Sequence, residues 1–396
     1  MVMRWMSELV RRLQTRPAAS PPAIDFARLL GREPVNLDTP ELQRFIAGKR
    51  VLVTGAGGSI GSEICRQAAR FCPSRLVLVE RSEGALFEID HDLRQRWIGL
   101  DPVPLLLDVT DARRVRQAFT VHRPEVVFHA AAHKHVPLME HNAAEAIRNN
   151  VFGTRGVAEA TAESGADAFV LISTDKAVNP SSVMGATKRV AELIVQSLAE
   201  SAQRRGGSAA TRFLAVRFGN VLASSGSVVP IFQRQIAAGG PVTVTHPEMR
   251  RYFMSIPEAA QLVMQAGAIG HGGELFVLDM GEPVRILDLA RRLVEAHGLR
   301  PDRDIELRVT GVRPGEKLFE QLCYDDEHTL ASGHDRIRVW RCRPVDAPRL
   351  GEALSRLQDA AEADDPAVAA VLAEVVPEYR HTPCDPAARP PLRLVA

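Results

Sequence analysis

Two short stretches hold residues whose types and spacing could do chemistry. In STDKAVNPSSVMGATKR, Ser173–Arg189, Asp175 adjoins Lys176 directly after an apolar run. If that run is a parallel strand, its C-terminal end is where ligands bind in open α/β sheets. An acid and a base on one rigid element can move each other's pKa toward proton transfer, whereas the plain alternative is a surface ion pair. Lys188 lies one helical turn after Met184, so the two share a helix face. A lysine there could hold a ribose and lend positive potential, or simply be solvated.

The second stretch is VLVTGAGGSIGSEI, in which Gly55, Gly58 and Gly61 follow a strand-like run and open a helix. The first glycine allows a tight turn, the second lets backbone approach a pyrophosphate, and the third lets helix and strand pack closely. The first helical turn, with Ser59 and Ile60, would face the phosphates. Strand, glycines, helix and second strand come in order, so the chain is expected to bind a dinucleotide. Glu80, nineteen residues after Gly61, ends the second strand, where a carboxylate accepts hydrogen bonds from the adenosine ribose of NAD. Arg81 follows at once and could instead hold the 2′-phosphate of NADP, leaving NAD as the first expectation and NADP as the second. Asp108 is a candidate adenine contact or a helix cap before Thr110 and Asp111. Ala130, in HAAAHKH at the end of the fourth strand, completes the expected cofactor contacts.

The elements that must position these residues alternate. The runs RVLVTG, RLVLVE, PVPLLLDV, EVVFHAAA and AFVLIST are each followed by helical periodicity, the pattern of a parallel sheet covered on both faces. The fold class is therefore α/β, a doubly wound parallel sheet with a smaller C-terminal substrate-binding lobe. A sixth strand is expected over FLAVRFGNV, another over ELFVLDM, a basic helix over Leu287–Ala296 and an amphipathic one over Leu350–Ala361. Residues 1–48 read as an N-terminal helical and linker segment, 49–345 as the core interleaved with a lobe drawn mainly from 220–345, and 346–396 as C-terminal helices and tail.

With 49 basic and 48 acidic residues, no overall field draws the chain to nucleic acid or to an anionic membrane, so any anion must be held locally. The five cysteines are scattered without metal-type pairing, and Cys65 and Cys72 are expected as small core residues of one helix in a reducing cytoplasm. His129, His133, His135 and His141 crowd one segment but lack a supporting carboxylate or cysteine set, so no metal is expected. No apolar run reaches the roughly 18 residues of a spanning helix. MVMRWMSELVRRLQ carries apolar residues at helical spacing beside Arg4, Arg11 and Arg12, fitting either a peripheral helix at the inner membrane face or one packed on the body.

In order, TGAGGSIGSE, HAAAHKHVPLME, NNVFGT, STDKAVNP, MGATKR, RFGNVLASSGSVVP, RYFMSIPEA and RPGEKLFE resemble the UDP-N-acetylglucosamine 4,6-dehydratases of capsule and glycan biosynthesis, in the extended short-chain dehydrogenase/reductase superfamily. The resemblance runs from about Leu29 to Tyr379. It implies oxidation of UDP-GlcNAc at C4 by tightly bound, recycled NAD(P), loss of water across C5 and C6, and hydride return to C6, hence a hydro-lyase. It further implies Asp175 as the acid at the C6 hydroxyl, Lys176 as the base at C5, Thr174 near the C4 oxygen and Lys188 at the nicotinamide ribose. Met184 stands where relatives commonly place a tyrosine, and none of Tyr252, Tyr324 and Tyr379 has a lysine four residues on. The C4 proton must then go to Asp175, to Lys176 or to a water ordered by Thr174 and Lys188. The resemblance assigns the UDP to Asn220, Arg251, Arg313 and Glu316, borders the substrate cavity with Lys134 and His135, and gives Asn150 a structural role.

Many long relatives carry membrane helices ahead of the catalytic domain, where here only about fifty residues precede the first strand. That fits a soluble form or a truncated chain. A homo-oligomer is expected. The rival readings are a UDP-sugar 4-epimerase, in which Asp175 and Lys176 would have no task, a dehydratase that also inverts C5, and a non-catalytic NAD(H)-sensing protein.

Overall fold

The computed structural model describes residues 39–205, 210–324, 329–363 and 368–380. The N-terminal amphipathic segment, the Pro/Ala linker and Cys384 lie outside the described residues. Helix α1 (Pro40–Ile46) leads into β1 (Arg50–Thr54), α2 (Ser59–Arg70), β2 (Arg75–Glu80), α3 (Glu83–Arg96), β3 (Val103–Leu106), α4 (Ala112–His122) and β4 (Val126–His129). Two short helices, α5 (Val136–Glu140) and α6 (Ala143–Ile147), run through a π-turn at Arg148–Gly153 into α7 (Thr154–Ser164). Then come β5 (Ala168–Ile172), a 3₁₀ turn at Asp175–Ala177, α8 (Val183–Arg205) and β6 (Arg212–Arg217).

These strands pair in the order β3-β2-β1-β4-β5-β6, all parallel. The order reverses between β1 and β4, and at such a switch point a crevice opens at the C-terminal strand ends. Residues 51–54 and 126–129 of the central strands are all buried, as a sheet covered by helices on both faces requires. One apolar cluster on each face, around Ile64, Phe128 and Val170 on one side and Val127, Val157 and Phe169 on the other, makes the core.

Beyond β6 the structure departs from the expected elements. FLAVRFGNV is not one strand: β6 stops at Arg217, and β7 (Asn220–Val221) turns off to pair with β10 (Phe253–Met254). Helix α9 (Val228–Ala237), β8 (Val242–Val244) and β9 (Arg250–Arg251) come between them. After β10, α10 (Ile256–Ile269) packs back on the core, and β11 (Leu275–Leu278) adds a seventh parallel strand beside β6. Strand β12 (Val284–Arg285) pairs with β9, α11 (Ile286–Ala296) follows, and β13 (Leu307–Val309) pairs with β8. Together α9, α11, β8 and β13 enclose a separate apolar cluster around Phe232, Ile286 and Leu293. The hairpin β14 (Thr329–His334) and β15 (Ile337–Trp340) instead extends the main sheet antiparallel to β11, so the span 220–345 is shared between sheet and lobe.

The C-terminal helices α12 (Ala347–Glu362) and α13 (Val368–Val375) lie on α6 and α8, burying Leu350, Leu354, Leu357 and Leu372. Cys72 corrects one expectation. It sits just past α2 at φ 51° and is exposed, whereas Cys65 is buried; both are free thiols. Among the described residues, no helix is long and apolar enough to cross a membrane, and no three His, Cys, Asp or Glu side chains converge as a metal site.

Candidate active site

Strand β5 delivers Thr174, Asp175 and Lys176 at the carboxyl edge of the sheet. The Thr174 hydroxyl accepts from Lys176 N–H at 3.3 Å, starting the 3₁₀ turn, and donates to Asp175 Oδ1 at 2.9 Å. The Lys176 ammonium donates to Asp175 Oδ1 at 3.0 Å and to Asn220 Oδ1 at 3.2 Å. Asn220 reaches this position because β6 ends early and Gly219 lets the chain turn. A Cβ at Gly219 would lie 2.9 Å from the Tyr252 Cβ and 3.2 Å from Asp175 Oδ2. Asp175 is fully buried, and its Oδ2 has no hydrogen-bond partner among the described residues. Burial presses the Lys176 pKa down, but the Asp175 and Glu320 carboxylates outweigh it and leave it above the ordinary lysine value. Lys176 is thereby held as an ammonium, in an ion pair with Asp175.

Glu320 belongs to this cluster, with Oε1 3.6 Å from Lys176 Nζ and 3.8 Å from Arg251 Nε. Arg251 is itself buried and also donates to the Arg250 and Leu318 carbonyls. In RPGEK, Arg313 and Glu316 pair with each other across their turn, whereas Lys317 donates to the Val178 carbonyl at 2.7 Å and faces Glu320, Asp175 and Lys176. His135 stacks over Gly226, whose added Cβ would come within 2.5 Å of the ring. Burial, then Lys134 and Arg313, hold the His135 pKa below its usual value, so these three form a second basic group.

Helix α8 starts beside the acid–base turn. Gly185 makes this possible, because a Cβ there would sit 2.2 Å from the Lys176 carbonyl oxygen. Gly185→Ala must push the turn and the helix apart. Since a displacement of about 1 Å can cost on the order of 10² in rate, turnover should fall by roughly that factor with the circular dichroism spectrum retained. Unchanged steady-state turnover would show that this contact does not position Lys176.

Met184 does not point a functional group at the pair. It is buried within the cluster formed by α5, α8 and the C-terminal helices. Lys188, also buried, makes no hydrogen bond among the described residues, and desolvation brings its pKa down to about 8 against the opposing pull of Glu192. Asn150, in the π-turn, donates to the His133 carbonyl and to Thr187 Oγ1 and accepts from His133 N–H, tying the end of β4 to α8. A π-turn commonly marks such a functional position.

On the other side of the crevice, Gly55 lies at φ 66°, and a Cβ would meet the Ala130 carbonyl carbon and oxygen at 2.8 Å. A Cβ at Gly61 would sit 2.0 Å from the Gly55 oxygen. Gly58 caps α2 without a side-chain bond, so the first-turn N–H groups remain open to an anion. Ser59 Oγ accepts from Ser225 N–H at 3.1 Å, joining this loop to the one after β7. Glu80 binds the loop from below: Oε2 accepts from Gly57 N–H at 3.1 Å, and Oε1 accepts from the Arg81 and Ser82 N–H groups. Asp108 does not cap α4, a role Asp111 takes by accepting from Arg114 N–H; Asp108 Oδ1 instead accepts from Thr110. With Arg81, Ser82, Leu106, Leu107 and Arg114 it lines an open depression beside the glycine loop. Arg81 is 3.9 Å from Asp108 and 3.7 Å from Glu145. These features fit a dinucleotide, with backbone for its pyrophosphate and a carboxylate at the end of β2 for its ribose.

Three groups escaped sequence reasoning. Glu320 closes the motif RPGEKLFE, in which the resemblance gives roles only to Arg313 and Glu316. His129, fully buried, takes Thr54 Oγ1 on Nδ1 at 2.8 Å and Thr154 Oγ1 on Nε2 at 3.0 Å. Because Thr154 Oγ1 already donates to the Asn150 carbonyl, it must accept from His129 Nε2–H, leaving Nδ1 to accept from Thr54. Burial, then Lys188, keeps this imidazole neutral, with its pKa pushed to about 3. The third group is the pair Glu192–Arg217 below Ser173, joined by two bonds of 2.7 Å, with Ser173 Oγ donating to Glu192 at 2.6 Å. An arginine inside the apolar run FLAVRF was the available signal, since a buried guanidinium requires a partner.

Comparison with known proteins follows the same outline. The chain is 53% identical over 305 residues to the capsular polysaccharide biosynthesis protein CapD of Staphylococcus aureus, covering 77% of this chain and 50% of that protein. It thus spans about half the length of that relative. It is 34% identical to a UDP-N-acetylglucosamine 4,6-dehydratase (inverting) of Campylobacter jejuni, covering 71% of this chain and 79% of the relative. A UDP-glucose 4-epimerase of Rickettsia conorii is 33% identical, with coverage of 77% and 85%. Among solved structures, Pen from Bacillus thuringiensis superposes with a TM-score of 0.67 at 32% identity, covering 74% of this chain and 90% of that one. The family described as polysaccharide biosynthesis protein matches residues 51–341. With the switch-point crevice, the glycine loop and the acid–base turn on one sheet edge, the chain belongs to this polysaccharide biosynthesis family, as a CapD-like member of the extended short-chain dehydrogenase/reductase superfamily.

Proposed function

We propose that the protein dehydrates UDP-N-acetylglucosamine to the 4-keto-6-deoxy sugar nucleotide, using a dinucleotide that it keeps and recycles. The observation that carries this reading is the hydrogen-bonded trio of Asp175, Lys176 and Asn220 at the strand edge. A reaction that only moves a hydride on and off C4 has no task for an adjacent acid and base. Loss of water across C5 and C6 requires both, because C5–H must be removed and hydroxide leaves poorly unless protonated. The names of the CapD and dehydratase relatives support the same reading.

The backbone of Gly55–Gly61 and the start of α2 would hold the pyrophosphate, and Glu80 the adenosine ribose. Arg81 lies between Asp108 and Glu145, which compete with a 2′-phosphate for its charge and so favour NAD over NADP. When bound, the nicotinamide supplies a hydride acceptor for C4 and a donor for C6. Lys188, desolvated and without a hydrogen bond among the described residues, would hold the nicotinamide ribose. Lys134, His135, Arg313 and Glu316 would take the nucleotide diphosphate and uridine, with Asn220 and Arg251 nearer the sugar. The C4 proton cannot go to Lys176 while that group is an ammonium. The unpartnered Oδ2 of Asp175 is the open acceptor, and a protonated Asp175 is the acid that the C6 hydroxyl then needs.

Incubation of purified protein with UDP-GlcNAc, followed by NMR of the sugar nucleotide, tests the assignment. A 4-keto-6-deoxy product supports it, with C5 configuration naming the subtype. UDP-GalNAc would establish the epimerase, and tight NAD binding without turnover would establish a sensor.

A further inference from the structure

Glu320 has no part in the mechanism above, yet it lies inside it. Its residue is only 7% exposed, Oε1 faces both the Lys176 ammonium and Arg251, and Oε2 is buried without a hydrogen-bond partner among the described residues. Leaving a carboxylate oxygen dry and unpaired costs free energy that an amide or an apolar residue would avoid. An unsatisfied buried group calls for an explanation, and a part in proton transfer is one.

Counting protons identifies the part. The ion pairs place the Lys176 ammonium between Asp175 and Glu320, 3.0 Å and 3.6 Å away, and the count starts from that arrangement. Oxidation at C4 releases a second proton, which goes to Asp175. Elimination then needs Asp175 protonated as the acid and Lys176 neutral as the base. The ammonium proton must therefore leave Lys176, and Asp175 is already full. We propose that Glu320 is the third proton site of the reaction, taking the Lys176 proton on its carboxylate as the sugar is oxidised and returning it after the cycle. The balance closes: the N–H bond of Lys176 breaks, an O–H bond forms on Glu320, and the freed amine pair attacks C5–H. Asp175 loses its proton to the departing water, and the C5 proton returns from Lys176 when the hydride reaches C6. Glu320 then gives its proton back to Lys176, restoring the resting ion pair. The inference rests on the dehydration reading.

The test supplies the 4-keto-6-deoxy sugar nucleotide in D₂O to an Asp175→Asn parent, whose amide stands in for the already protonated Asp175 and cannot take the Lys176 proton. Exchange of C5–H is followed by NMR, which reports Lys176 as a base, and the Glu320 substitutions are added to this parent. Two roles for Glu320 predict opposite signs. If Glu320 is only a counter-ion to the ammonium, Glu320→Gln loosens the lysine's hold on its proton, so exchange at neutral pH stays constant or accelerates. If it stores the proton, exchange slows by about 10²-fold, the lower range for a lost acid–base group, and the residual rate climbs with pH as solvent removes the ammonium proton. Glu320→Asp should recover part of the loss. UDP affinity should stay near that of the parent in both variants. Exchange in Glu320→Gln at or above the parental rate overturns the assignment, as does a loss matched by an equal loss of UDP binding, which marks a structural role. An unsubstituted protein that forms no ketone from UDP-GlcNAc overturns the dehydration reading as well.

Discussion

Replacing Lys176 with alanine is expected to remove dehydration while leaving the bound dinucleotide in place. The lysine is 17% exposed and its ammonium is shared by Asp175, Asn220 and Glu320, none of which belongs to the glycine loop. Its loss should therefore spare cofactor binding. Without a base at C5, the rate should fall by about 10³-fold or more, in the range that positioned general bases contribute. Cofactor retention is read from the absorbance of the purified variant, and turnover from NMR of the sugar nucleotide. Wild-type turnover in Lys176→Ala would remove the residue from the chemistry. The variant also leaves the carboxylates of Asp175 and Glu320 without their shared cation, so its thermal unfolding should be compared in the same experiment.

The largest stability effect is expected at Glu192. Its carboxylate is buried and holds Arg217 through two bonds, Arg189 at 3.2 Å and the Ser173 hydroxyl at 2.6 Å. Arg217 is fully buried against the rings of Tyr324 and Trp340, so it has no route to water. Glu192→Ala strands that guanidinium and should destabilise the protein by about 3–5 kcal/mol, the usual cost of breaking a buried ion pair from one side. Equilibrium urea unfolding measures it. The double variant Glu192→Leu with Arg217→Met should recover most of the loss, because removing both charges also removes their desolvation cost. Burial raises the Glu192 pKa, but Arg217 and Arg189 outweigh it and hold it below the ordinary carboxylate value. The pair's contribution is therefore complete at neutral pH and is lost as pH falls through the lowered value, below the usual carboxylate range. Ser173 precedes the acid–base turn, so the pair fixes the end of β5 from beneath, and its loss should lower turnover as well.

The described C-terminal helices bear on Met184. Where a polar relay might be sought, this chain has a thioether inside an apolar cluster with Leu350, Leu354 and Leu372 from α12 and α13. The position is part of the packing that seats α8, and in the proposed reaction proton transfer falls to the turn preceding it.

The parts that the sequence determined by itself are local. Gly55, Gly58 and Gly61 announce their loop because backbone geometry within seven residues dictates glycine, and the structure places backbone within 2.8 Å of the missing Cβ atoms at Gly55 and Gly61. Strands β1, β2, β4 and β5 were legible because burial on both faces leaves continuous apolar runs, whereas β3 is a half-exposed edge strand whose run is apolar all the same. Asp175 and Lys176 stood out because they are adjacent, and Met184 with Lys188 because helical spacing is fixed. Tertiary structure decided what depends on distant chain segments meeting. It broke FLAVRFGNV after Arg217 so that Asn220 could reach Lys176, and it turned β14 and β15 back onto the main sheet. It also brought Glu320 to the acid–base turn from 144 residues away and paired Arg217 with Glu192 from a different element. No periodicity records such meetings, because a buried charge is chosen by the partner across the fold: the apolar neighbours of Arg217 show that a partner is needed, and nothing in them shows which one.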